Sequence, residues 1–301
     1  MKRRILLLAA LALPHIARAQ DKRKLRVGIT LHPYYSWVAN ITQGAVDIVP
    51  LIEAGFDVHN YEPQPADIRR AATLDVLVMN GIGHDDFALK VLDAAEMRSK
   101  VRIIYANEGV ALIPASGNPG GEKTYNPHTF ISITAAIQQI FTIAAQLGEA
   151  DPDNAEAYRR NARAYAARLR KLKAGYIAKL AGVTGAALNV ATIHGGYDYL
   201  MQEFGLNVVA VVEPAHGLLP TASQMRGTIE RIRALGVTTL FTQAQYPAQF
   251  ADAIQRETGA RLYTLTHITE GAYTAAKFEE GIAFDMQVIV DAVLAATGAA
   301  H

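Results

Sequence analysis

Short apolar runs recur along this chain, and a helical pattern follows nearly every one of them. Strands are predicted over 25–30, 46–52, 75–79 and 101–105, with helical patterns between them over 35–42, 67–72 and 85–95. Strands this short, alternating with helices, build parallel sheets, because each helix carries the chain back across the sheet before the next strand. The same texture returns later in the chain. Strands are predicted over 188–193, 208–212, 239–242 and 262–266, and helices over 197–204, 223–235, 247–258 and 278–295. The two halves share an architecture but no sequence repeat.

The segment between them is different. A long apolar helix is predicted over 129–147, ending at Gly148. Asp151-Pro152-Asp153 then reads as a helix start: a capping Asp, a proline in the first turn, and an acid near the positive end of the dipole. Residues 154–180 follow, rich in Ala, Arg, Lys and Tyr, and as one helix they would span roughly 40 Å. The expected fold is therefore two α/β lobes joined by one long linking helix. Its boundaries fall at 20–150 for the first lobe, 151–181 for the linker and 182–301 for the second lobe. With 50% hydrophobic and 19% charged residues, the 301-residue chain is neither disordered nor of low complexity.

The first nineteen residues read as an export signal. Lys2-Arg3-Arg4 precedes the nine-residue apolar run 5–13, which is too short to span a bilayer, and Ala17-Arg18-Ala19 has the form a signal peptidase accepts. No cysteine follows the run, so no lipid anchor is expected there, and the mature protein is expected to be free in a periplasm. Cleavage removes Lys2, Arg3, Arg4 and Arg18, which turns a net charge of +1 into −3. With no basic excess to neutralise phosphates, a nucleic-acid partner is not expected.

Cysteine is absent, so a metal site must use His, Asp or Glu. Of nine histidines, His15 leaves with the signal and His301 is terminal. Most of the others follow a predicted strand or open a helix, and in open α/β sheets ligands bind beyond the carboxyl ends of the strands. His59 follows the second strand and His84 the third. His128 sits in Asn126-Pro127-His128, and His194 and His267 each end a strand of the second half. Two such loop sets, one per lobe, can face each other across a cleft, and imidazole is a good ligand for zinc and its neighbours.

These motifs, taken in order, resemble the zinc- and manganese-binding solute-binding proteins of bacterial ABC importers, the cluster A-I family, over nearly the whole mature chain. Val58-His59-Asn60-Tyr61-Glu62-Pro63 resembles the segment bearing that family's first metal histidine. Asn126-Pro127-His128 resembles its Asp-Pro-His, with Asn for Asp. His194-Gly195-Gly196-Tyr197-Asp198 resembles the third-ligand segment, and Val212-Glu213-Pro214 resembles its Glu-Pro. The resemblance implies His59, His128 and His194 as metal ligands; His267, the nearest ligating residue to the family's fourth position, is read as completing the site, with His84, His216 and Glu213 as further candidates. His267 stands about where the family places an acidic ligand, and Gln243 where it has Glu. The loop 116–124 lacks the histidines that the zinc branch often carries there.

The implied role is capture of a divalent metal ion and delivery to the membrane permease of an ABC importer. The protein is expected to be a monomer and not an enzyme. Zn²⁺ is the favoured ion, with Mn²⁺ or another divalent transition metal as the alternative, because neutral imidazoles suit a borderline ion better than a hard one. Two other readings are a secreted metal-dependent hydrolase and a binding protein for a metal chelate. No His-Glu-x-x-His, paired His-x-His or Gly-x-Ser-x-Gly supports the hydrolase. A P-loop fails as well, because Glu122 separates Gly121 from Lys123.

Overall fold

The computed structural model describes residues 23–54, 61–114, 125–183, 188–213, 218–244 and 246–298. The predicted export signal, His59, His216 and the loop 116–124 lie outside the described residues. No helix among the described residues is long and apolar enough to cross a membrane.

The first lobe holds β1 (Arg26–Ile29), β2 (Asp47–Pro50), β3 (Val76–Met79) and β4 (Arg102–Tyr105), all parallel, in the order β2-β1-β3-β4. The connecting helices are α1 (His32–Thr42), α2 (Pro65–Ala71) and α3 (Phe87–Ala94). β3 is Val-Leu-Val-Met and fully buried, as expected of a strand covered on both faces. The second lobe repeats the plan with β5 (Asn189–Thr192), β6 (Asn207–Val211), β7 (Thr239–Gln243) and β8 (Arg261–Leu265) in the order β6-β5-β7-β8.

Between the lobes run α4 (Ile133–Ala150) and the linking helix α5 (Ala155–Ala178). The apolar pattern predicts this helix from residue 129, but it begins four residues later. Ser132 is in extended backbone and its side chain accepts the Ala135 N–H at 3.1 Å, so the helix starts at Ile133 and His128 stays in the preceding loop. Gly148, read as a terminator, lies inside α4. A Cβ there would stand 3.0 Å from that of Ala155, so the glycine lets the two helices approach closely. Asp151, expected as a helix cap, instead accepts on its carboxylate from Asn154 Nδ2 and the Tyr158 hydroxyl, and residues 152–154 form a 3₁₀ turn before α5 begins. The buried stripe of α5 is Tyr158, Ala162, Tyr165, Ala166 and Leu169, spaced three and four apart on one face that packs against α1 and α4.

The second lobe adds α6 (Asp198–Glu203), α7 (Ala222–Ala234), α8 (Ala248–Thr258) and α9 (Lys277–Thr297). α9 packs on β8 and also on α1 and α5. Phe278 meets Trp37 edge-on with ring centroids 5.2 Å apart, and Ser36 Oγ donates to the Thr274 carbonyl at 2.8 Å. One large apolar cluster therefore runs through both lobes, from Val27 and Trp37 to Leu265 and Ile289. A smaller cluster, including Ile193, Val212, Ile232 and Ile254, lies under α7 and α8.

Candidate metal centre

Four loops converge in the cleft between the lobes, and each presents a histidine. His84 follows β3 in the turn Gly81-Ile82-Gly83. Gly81 has φ of +77° and Gly83 +98°, the left-handed region that glycine enters freely. Asp85 anchors this turn: its carboxylate accepts from Thr30 Oγ1 at 2.5 Å, Asn80 N at 2.6 Å and Gly81 N at 3.1 Å. Burial pushes the Asp85 carboxyl up to about 6 against these stabilising bonds. Asn80 also donates to the Pro127 carbonyl at 2.9 Å, which ties the His84 turn to the loop bearing His128.

His128 is held by Asn126, whose Oδ1 accepts both the His128 backbone N–H at 3.1 Å and its Nδ1–H at 2.9 Å. Asn126 Nδ2 donates to the Gly195 carbonyl at 2.7 Å, and the Tyr199 hydroxyl donates to the Asn126 carbonyl at 2.9 Å. The asparagine thus fixes one imidazole and stitches the first lobe to the second. His194 stands two residues beyond β5, and its Nδ1–H is taken by the Glu213 carboxylate in a short contact. His267 follows β8, with Nδ1 2.8 Å from the Thr269 hydroxyl oxygen.

With Nδ1 of His128, His194 and His267 engaged by Asn126, Glu213 and Thr269, the opposite ring nitrogen, Nε2, is the atom each would offer a metal. This outer hydrogen bonding is the arrangement that orients metal-ligating histidines. His194 Nε2 and His128 Nε2 are 3.0 Å apart. Ligand atoms of His84, His128 and His267 all lie within 4.8 Å of one another. Nitrogens around a tetrahedral ion at bonds of ~2.0–2.1 Å stand roughly 3.3 Å apart, so small ring movements bring this set to bonding distance. All four rings are buried, and Phe130 lies 5.0 to 5.7 Å by ring centroids from His84, His267 and His128, forming an apolar wall. Gly196 forms the other close surface: a Cβ there would stand 2.6 Å from His194 Cδ2 and 3.0 Å from His128 Cδ2.

Of the sequence candidates, His84, His128, His194 and His267 are brought together, His84 as a full member of the group. Glu213 lies behind His194 as its hydrogen-bond partner. His32 is engaged elsewhere, donating from Nε2 to the Gly271 carbonyl at 2.8 Å and stacking on Tyr273. Nothing in the sequence marks Asn126, Gly196 and Thr269 as parts of the centre. Their roles depend on contacts across the cleft or beside a ring.

The sequence model of the family described as "Zinc-uptake complex component A periplasmic" matches residues 27–292. The solute-binding protein FpvC of Pseudomonas aeruginosa, solved in complex with Mn²⁺, is 50% identical. Its structure superimposes with a TM-score of 0.86, covering 91% of this chain and 100% of that one. The same protein has been solved with Ni²⁺. The manganese ABC transporter substrate-binding lipoprotein PsaA of Streptococcus mitis is 25% identical over 81% of this chain and 80% of its own. The zinc-binding lipoprotein AdcA of Streptococcus pneumoniae R6 is 26% identical over 90% of this chain, which spans 56% of that longer protein.

Proposed function

This chain belongs to the zinc-uptake component A family, the metal-binding substrate-binding proteins of ABC importers, and we propose that it captures one divalent transition metal ion, zinc foremost, outside the cytoplasmic membrane and hands it to an importer permease. The observation that carries this reading is the convergence of His84, His128 and His267 within 4.8 Å, with His194 3.0 Å from His128. His59, on the segment resembling the family's first ligand, completes the proposed set.

The donor chemistry supports the choice of metal. The named relatives divide among zinc, manganese and nickel, so membership leaves the ion open. Imidazole nitrogens favour zinc, nickel and copper over manganese, which prefers carboxylate oxygen. The Glu213 carboxylate accepts from His194 Nδ1–H, which raises the basicity of the opposite nitrogen. The same set supports capture rather than catalysis: a catalytic zinc keeps an open position beside a general base, whereas this centre offers nitrogen on several sides.

The test is metal analysis of mature protein purified without a histidine tag, followed by chelator competition. About one zinc per chain is expected, with zinc preferred to manganese by well over tenfold. A chain that takes up no transition metal in competition with a weak chelator overturns the reading, and a preference for manganese overturns the choice of ion.

A further inference from the structure

Gly281 and Asp285 stand one turn apart on α9, so they share a face. That face meets the segment 266–269, which follows β8 and bears His267. Asp285 Oδ1 accepts the Thr266 backbone N–H at 2.7 Å, and Oδ2 accepts the Thr266 hydroxyl at 3.3 Å. Gly281 meets Ile268: a Cβ built on Gly281 would stand 3.1 Å from both Cγ1 and Cγ2 of that isoleucine, inside ordinary contact distance.

Ile268 is in an unusual state. Its φ is +62°, the left-handed region that a β-branched side chain rarely enters. It is also fully buried. A glycine would adopt this backbone freely, so the turn alone does not call for isoleucine. A strained residue of this bulk persists only where packing over-determines it, and such residues cluster where a ligand must be held in place. Here the strained residue sits between His267 and Thr269, the side chain that bonds the His267 ring.

We propose that Ile268, seated against Gly281, is a positioning residue that locks the 266–269 segment in its left-handed turn and so sets where His267 stands relative to His84 and His128. The proposal rests on His267 being a metal ligand. The geometry gives the lock a further consequence. α9 is braced against α1 and α5, and Phe278 against Trp37, so His267 is placed by a helix anchored on the lobe that carries His84 and His128. The histidine from the second sheet is thereby registered to the frame of the first.

The test compares Gly281→Ala in the parent and in a His267→Ala background, reading zinc affinity by chelator competition and the visible spectrum of the Co²⁺-loaded protein. Alanine is the better helix former, so α9 itself is not weakened. In the parent, Gly281→Ala should lower zinc affinity at least tenfold and move the Co²⁺ spectrum toward that of His267→Ala. In the His267→Ala background it should cause no further loss. Parent-like affinity in Gly281→Ala, or an equal loss in both backgrounds, overturns the lock. If His267→Ala alone binds zinc like the parent, the ligand assignment falls and the lock with it. A loss in His267→Ala beside an unaffected Gly281→Ala removes the lock alone. Should Gly281→Ala not fold, as judged by circular dichroism, Ile268→Ala carries the same comparison by deleting the other half of the contact, with the same expected and overturning results.

Discussion

Replacing Gly196 by alanine tests whether the imidazole cluster is built to a fixed geometry. The added Cβ would lie 2.6 Å from His194 Cδ2, 2.8 Å from His194 Nε2 and 3.0 Å from His128 Cδ2. Ordinary contact begins near 3.4 Å, so the His194 ring must retreat by about 0.8 Å and the His128 ring by about 0.4 Å. A binding constellation tolerates displacements of only ~0.5 Å before its bonds suffer. Both rings are also tied at Nδ1, by Glu213 and Asn126, so a retreat disturbs a hydrogen bond as well as the Nε2 position. The expected loss is 10- to 100-fold in zinc affinity, or about 1.4–2.7 kcal/mol. The metal-free fold should tolerate the change, because Gly196 is not in the left-handed region and the atoms it meets are ring atoms that can turn. Competition titration against a chromophoric chelator measures the first quantity, and thermal unfolding of the metal-free variant measures the second. Zinc affinity within about twofold of the parent would refute the argument that Gly196 is the floor of the centre.

Three further outcomes are expected. Glu213→Gln keeps an acceptor for His194 Nδ1–H but removes the charge, and should weaken zinc by roughly 10- to 100-fold; an unchanged titration would show that the carboxylate does not support that ligand. Zinc at a thousand-fold excess over Kd should add about 4 kcal/mol to stability at neutral pH. Because ligating imidazole must be neutral and the free group titrates near about 6.5, this gain should fade as pH falls below about 6; a gain that is flat down to about pH 5 in paired melts with and without zinc would exclude histidine ligation. In the metal-free protein, burial lowers His32 to about 4, so the stability associated with its neutral form is present above the ordinary value near 6.5 and lost as pH falls toward 4, at most ~3 kcal/mol. His32→Phe keeps the stack on Tyr273 and should flatten that part of the urea-unfolding profile; an unaltered slope would place the acid sensitivity elsewhere.

The fold was largely legible because its strands are buried on both faces and therefore read as unbroken apolar runs, as at Val76-Leu77-Val78-Met79. The errors fell where a local signal had two meanings. Ser132 could continue or cap a helix, and only the capping geometry decides. Gly148 could end α4 or let α5 approach, and only the position of Ala155 decides. The histidines were visible as strand-end residues, and the sequence grouped His128, His194 and His267, but it left His84 among the further candidates. His84 and His267 are far apart in sequence and meet through the packing of two sheets, with ring centroids 5.7 Å apart. The partners that orient them, Asn126 across the cleft and Thr269 beside His267, have no periodicity to betray them.

The division of the apolar interior into a large cluster and a small one bears on how the ion leaves. Amide exchange typically reveals units that open separately, each as stable as the contacts inside it. Ile193 and Val212, immediately before His194 and Glu213, belong to the small cluster under α7 and α8, whereas Leu265, two residues before His267, belongs to the large one. Yet Val190 and Phe241 face the large cluster while Ala191, Ile193 and Leu240 on the same strands face the small one, and β7 joins β5 to β8, so His194 and His267 stand at the end of one hydrogen-bonded sheet clamped from both faces. Release of an ion held by both would then require that sheet to shift against the loops bearing His84 and His128.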